Sequence, residues 1–77
     1  MRLDQLPPRH PSRIAAIDWA SVGEREGKRL RELGFDHGVA IEALHHGAFQ
    51  GPIACRVGRM TIALRRRLAA SVTVEPA

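Results

Sequence analysis

A chain of 77 residues holds one domain and one core, and it buries only roughly 60–65% of its unfolded surface, which leaves little room for a deep catalytic cleft. With no Tyr, one Trp and two Phe it is poorly stocked for stacking on bases, and its single Cys55 excludes an internal disulfide and a cysteine zinc knuckle. The net charge is +4, and eleven of the twelve basic residues are Arg, but they are scattered along the chain and read as a solvated surface.

No apolar stretch approaches the roughly 18 residues of a membrane span. Arg2 is not followed by the apolar core of a signal peptide. The expectation is a cytoplasmic protein in a reducing compartment.

Met1 to Pro11 carries Leu3 and Leu6, then Pro7, Pro8 and Pro11. The prolines stop a helix and call for an extended lead-in whose two leucines pack onto one end of the fold. Ser12–Ile17 is a first strand, with Ile14 and Ala16 on one face and Ile17 on the other. Ser21 and Glu24 have capping-box spacing, so a helix is expected over about 22–33, with Ser21 at its N-cap. Gly27 inside it costs about 1 kcal/mol against Ala, which a close approach to the sheet would explain.

Leu30-Arg31-Glu32-Leu33-Gly34-Phe35-Asp36-His37-Gly38 organises the rest. Leu30 and Leu33 share a helical face. Gly34 stands where a left-handed C-cap wants no Cβ, and Phe35 can fold back onto the leucines. Asp36-His37-Gly38 is a tight turn.

The second strand starts at Val39, with Val39, Ile41 and Ala43 inward and Ala40, Glu42 and Leu44 outward. A hairpin loop over 45–51 follows. The third strand, 52–57, places Ile53, Cys55 and Val57 on one face, with Cys55 as a core filler. Gly58-Arg59 is a two-residue hairpin turn, and Met60, Ile62 and Leu64 alternate beyond it. A helical turn over 65–70 precedes the last strand, 71–74. The fold class is mainly β with one inserted α-helix. Its five or so short strands curl into a small barrel, forming a single domain over 1–77.

The sequence now resembles a family. Leu3-x-x-Leu6, Arg13-Ile14-x-x-Ile17, Leu30-Arg31-Glu32-Leu33-Gly34-Phe35 with Gly38, Gly51-Pro52-Ile53, Met60-Thr61-Ile62-Ala63-Leu64-Arg65 and Val72-x-Val74 occur in the order of the ferrous iron transport protein A (FeoA) family. Nearly the whole chain is covered. The resemblance implies an SH3-like barrel. It also implies a cytosolic accessory of a membrane ferrous-iron transporter, ferrous iron transport protein B, which carries a cytosolic GTP-binding domain. Family members usually have Gly after the lead-in proline, whereas Pro8 is followed here by Arg9.

No catalytic set is legible. Ser12, Ser21 and Ser71 lack a His/Asp partner, and no phosphate-binding glycine loop occurs. The chain is not expected to be an enzyme. His45 and His46 are the candidate metal ligands, but neighbours in a strand point to opposite faces. Glu42 and His46 share a face yet stand roughly 13 Å apart along an extended strand. A metal would therefore have to be shared between chains, and a weakly bound divalent transition metal is the most the pair offers. No cofactor is required.

The candidate partner-binding residues are Arg31, Leu44 and Phe49. The expected function is regulatory, through protein–protein interaction with the transporter's cytosolic region, by a monomer or weak homodimer. The alternatives are a weak transition-metal-binding domain and a small basic barrel that binds nucleic acid. Dispersed charge and missing aromatics speak against the last.

Overall fold

Apolar side chains at alternate positions, punctuated by Gly and Pro, build five strands: β1 (Ser12–Ile17), β2 (Ala40–His46), β3 (Ile53–Val57), β4 (Met60–Leu64) and β5 (Val72–Pro76). The computed structural model describes residues 1–77. The strands form one antiparallel sheet in the order β4-β3-β2-β1-β5. A helix, α1 (Glu24–Glu32), is inserted between β1 and β2, and a single turn, α2 (Arg66–Ala69), leads from β4 to β5. This is the expected mainly β architecture with one inserted helix.

The sheet does not lie flat. β1 pairs with β2 only at Ser12 and Arg13, while its whole length follows β5. Its two edges, β4 and β5, share no ladder. Inward side chains from the strands meet Leu3, Leu30 and Phe35 in one core, where Phe35 is only 2% exposed. At about 25 cal/mol per Å² of apolar area, this cluster is the main source of stability.

α1 ends as its sequence demands. The Phe35 N–H donates to the Leu30 carbonyl at 3.0 Å and the Gly34 N–H to the Arg31 carbonyl at 3.0 Å. These are the two bonds of a Schellman motif, with Gly34 at φ +92° and the buried Phe35 beside buried Leu30. The capping box at the other end does not form. The helix begins at Glu24 with Gly23 as N-cap and no side-chain cap. Ser21 is already spent in the preceding turn, where its Oγ and its N–H both reach the Asp18 carbonyl at 3.1 Å. Burial of Val22 holds the chain in that turn. Glu24 and Glu26 in the first turn favour the helix dipole instead.

What stands over buried Gly27 is Trp19 rather than the sheet, since a Cβ there would meet the indole at 3.7 Å. Trp19 is also covered by Arg31, whose guanidinium carbon lies 4.2 Å from a ring centroid.

Two bulges shift the expected faces. Ala15 is an extra residue between the pairs Ile14↔Val74 and Ala16↔Thr73. Ala16 is consequently exposed, not beside Ile14, and Ile17 packs half-buried against the core. The second bulge, in β2, bears on function and is described below.

The lead-in is not extended throughout, because Leu3–Gln5 close a 3-10 turn before Pro7. Leu3 and Leu6 are buried as expected. Arg9 takes φ +63°, so the geometry a glycine would supply is kept by a residue with a side chain. It is held by an N–H···O bond of 2.7 Å to Ala43. Met1 and Arg2 lie along the outer side of β5, bridging Arg2 to Thr73 and accepting the Val74 N–H on the Met1 carbonyl at 2.7 Å.

Candidate interaction surface

The β2–β3 connection carries most of the residues that drew attention in the sequence. The ladder continues through His45↔Ala54 and His46↔Ile53, so β2 reaches His46 and the loop is shorter than expected. Between Ala43↔Cys55 and His45↔Ala54 one residue, Leu44, is left over as a bulge. The extra residue inverts the alternation. Glu42 pairs with exposed Arg56, whereas His46 pairs with buried Ile53. Glu42 and His46 therefore lie on opposite faces, contrary to the expectation that they share one.

His45 is exposed, and half-buried His46 turns back into the protein, its Nε2–H donating to the Leu6 carbonyl at 2.8 Å. No group of three His, Cys, Asp or Glu side chains converges anywhere in the chain. A metal held by His45 and His46 would need ligands from a second molecule.

Beyond His46 the loop is tied at its base and strained at its tip. The Gly47 N–H donates to Pro52 O at 3.0 Å and the Gly51 N–H to Ala48 O at 3.0 Å. A Cβ on Gly47 would sit 2.6 Å from the Pro52 carbonyl oxygen, so only glycine fits. From α2, Arg66 reaches the Gly51 carbonyl at 3.4 Å. On this base Phe49 and Gln50 both adopt left-handed backbone, φ +55° and +61°. Each such residue costs about 1–2 kcal/mol. The Phe49 side chain is fully exposed, at 103% of its reference area.

Of the three partner candidates, Phe49 and half-buried Leu44 belong to this β2–β3 region, while exposed Arg31 sits at the far end of α1, stacked on Trp19. None of them lines a principal groove of the surface. The Phe49 strain had no sequence signal, since nothing marks an Ala-Phe-Gln run as left-handed; the flanking glycines marked only a loop.

Cys55 is wholly buried, and desolvation pushes its thiol up from 9.0 to about 11. It is a packed side chain with no nucleophilic character at neutral pH. No helix is long and apolar enough to cross a membrane.

Comparison with known proteins gives the same architecture. A comparison with curated proteins found no match. Among solved structures, iron(II) transport protein A from Clostridium thermocellum is 34% identical, with a TM-score of 0.87 over 100% of this chain and 46% of that one. The chain thus spans about half the length of that relative. A FeoA from Stenotrophomonas maltophilia, described as an SH3 domain protein complexed with zinc, is 30% identical, with a TM-score of 0.75 over 97% of this chain and 89% of that one. A manganese-dependent transcriptional repressor, 15% identical, shares the fold over 41% of its length, with a TM-score of 0.81. The barrel is SH3-like, as the resemblance implied. The FeoA domain family model matches residues 1–76, and with this match the chain belongs to the FeoA family, which is associated with ferrous iron transport.

Proposed function

We propose that the protein is a cytoplasmic, non-enzymatic regulator of ferrous iron uptake that docks on the cytosolic region of the GTP-binding membrane transporter, ferrous iron transport protein B. Family membership supports the pathway. The observation that carries the docking is Phe49: an apolar ring held fully in water, on a loop whose backbone is strained to put it there. Strain of this kind persists only where the surroundings over-determine it, and it clusters at ligand clamps. A rigid aromatic is also the commonest type of interface anchor. Leu44, in the same β2–β3 region, would add apolar contact, and Arg31, at the far end of α1, would add a separate charged contact.

The test is co-purification and titration with detergent-solubilised transporter. Phe49→Ala should keep the wild-type melting transition and lose at least about tenfold in affinity, as a central anchor does. A folded Phe49→Ala that binds as well as wild type would remove the ring from the interface. Failure of the wild-type protein to bind, in cells whose iron uptake depends on it, would end the docking proposal.

A further inference from the structure

The two edges of the sheet are treated differently. β5 is covered along its outer side by Met1 and Arg2. β4 has β3 on one side and no strand on the other. Edge strands are usually blunted by charge, Pro or a bulge. Here Thr61 and Ala63 are exposed, uncharged and not Pro, and the β3–β4 register runs without irregularity.

The hairpin turn pairs Val57 with Met60, and the bonded pairs of an antiparallel ladder then recur at Cys55↔Ile62 and Ile53↔Leu64. The N–H and C=O groups of Thr61 and Ala63 therefore face outward, away from β3, and Ala63 lines a groove between β4 and α1. That groove has a volume of about 640 Å³. Its apolar lining includes Leu33, Ile62 and Leu68, each only half-buried, and its rim carries Arg25, Arg29 and Arg65. The lone acid on the groove, Glu26, is already paired with Arg67 at 3.3 Å. None of the three rim arginines has a carboxylate within ion-pair distance, since the only other salt bridge is Arg2–Asp4.

We infer that this groove is a second docking site, which takes an extended acidic segment of a protein partner as a sixth strand between β4 and α1. The inference rests on the reading of the chain as an interaction module, but it names a different surface from Phe49. Main-chain bonds from Thr61 and Ala63 supply the pairing, alternate apolar side chains enter the half-buried floor, and the intervening carboxylates meet the arginines. A strand laid between a sheet edge and a helix is an established mode of peptide capture. The charge selects the occupant: a second copy of this chain, at +4, brings like charge to a basic rim.

The probe is a short fluorescein-labelled peptide alternating Glu and Val, read by anisotropy. Wild type should bind it, more weakly as salt rises, and should not bind a Lys/Val counterpart. The double variant Arg29→Glu, Arg65→Glu should lose about tenfold with an unchanged melting transition, since neither side chain makes an ion pair or side-chain hydrogen bond. Ala63→Pro deletes one outward N–H at an edge that tolerates proline, and it should abolish binding. Should that variant fail to fold, the peptide itself decides. Of two versions N-methylated at Glu or at Val, one must lose binding, because one set of amides faces β4 in either strand direction.

Equal binding by both methylated peptides overturns the strand addition. So does displacement by an equal concentration of single-stranded oligonucleotide, or wild-type dimerisation that the double variant prevents. If the solubilised transporter holds the double variant as tightly as wild type but releases Phe49→Ala, the groove is not part of that complex and the docking proposal alone survives. If the probe binds as expected while the transporter does not bind at all, the groove stands and the transporter reading falls.

Discussion

Substituting Gly34 tests the joint that fixes α1 to the sheet. Gly34 sits at φ +92° as the C′ residue of a Schellman motif. An added Cβ would have nothing within 4 Å, so any cost is backbone strain and not a clash. Placing an L-residue in that region costs about 1–2 kcal/mol. Replacing glycine also stiffens the unfolded chain, which returns about 0.4–1 kcal/mol. Gly34→Ala should therefore destabilise by about 1 kcal/mol. Gly34→Val, stiff at χ1 and poor at positive φ, should lose about 2 kcal/mol. Gly34→Asn, which tolerates this conformation, should stay within about 0.5 kcal/mol of wild type.

For a domain of this size each kcal/mol moves the melting temperature by roughly 4–8 °C. Urea titrations of the four proteins should show the order Gly, Asn, Ala, Val with a common slope. An Ala variant as stable as wild type, or an Asn variant as poor as Val, would mean that positive φ at Gly34 is not what the joint requires.

The lead-in supplies the opposite experiment. Exposed Arg9 at φ +63° makes no ion pair, so Arg9→Gly should raise stability by about 0.5–1 kcal/mol; a lower urea midpoint would show that Arg9 is not strained. Cys55 predicts an alkaline limb. Its folded thiol is raised from 9.0 to about 11, so its contribution is complete below pH 9 and is lost as pH climbs toward 11. Over those two units the loss is about 3 kcal/mol, in a chain with no Tyr and a single Lys to obscure it. Urea midpoints measured between pH 7 and 11 should fall for wild type and stay level for Cys55→Ala; an equal fall in both would assign the limb to other groups.

Most of the fold could be read from the residues because local chemistry and burial agree. β1, β3 and β4 begin and end within a residue of where alternation places them, and Gly34 with Phe35 announces the helix stop. What escaped depends on contacts made at a distance. Ser21 looks like a cap until burial of Val22 commits its turn to Asp18. The bulges at Ala15 and Leu44 leave no sequence mark, because an extra residue is defined by the partner strand that skips it. The Leu44 bulge changes the chemistry most, since it alone separates Glu42 from His46. The basic groove was hidden for a related reason: Arg25 and Arg29 share a face of α1, but Arg65 joins them only when β4 comes opposite the helix.

The cover that Met1 and Arg2 place on β5 also governs how copies of the molecule can associate. Joining the β4 edge of one copy to the β5 edge of the next would be a heterologous contact. It would leave a free edge at each end and propagate into a filament. With β5 occupied, that step is closed. The remaining edge-to-edge pairing is β4 with β4 about a two-fold axis, which uses both free edges and ends at two molecules. A short N-terminal segment thus limits pairing between sheet edges to closed pairs.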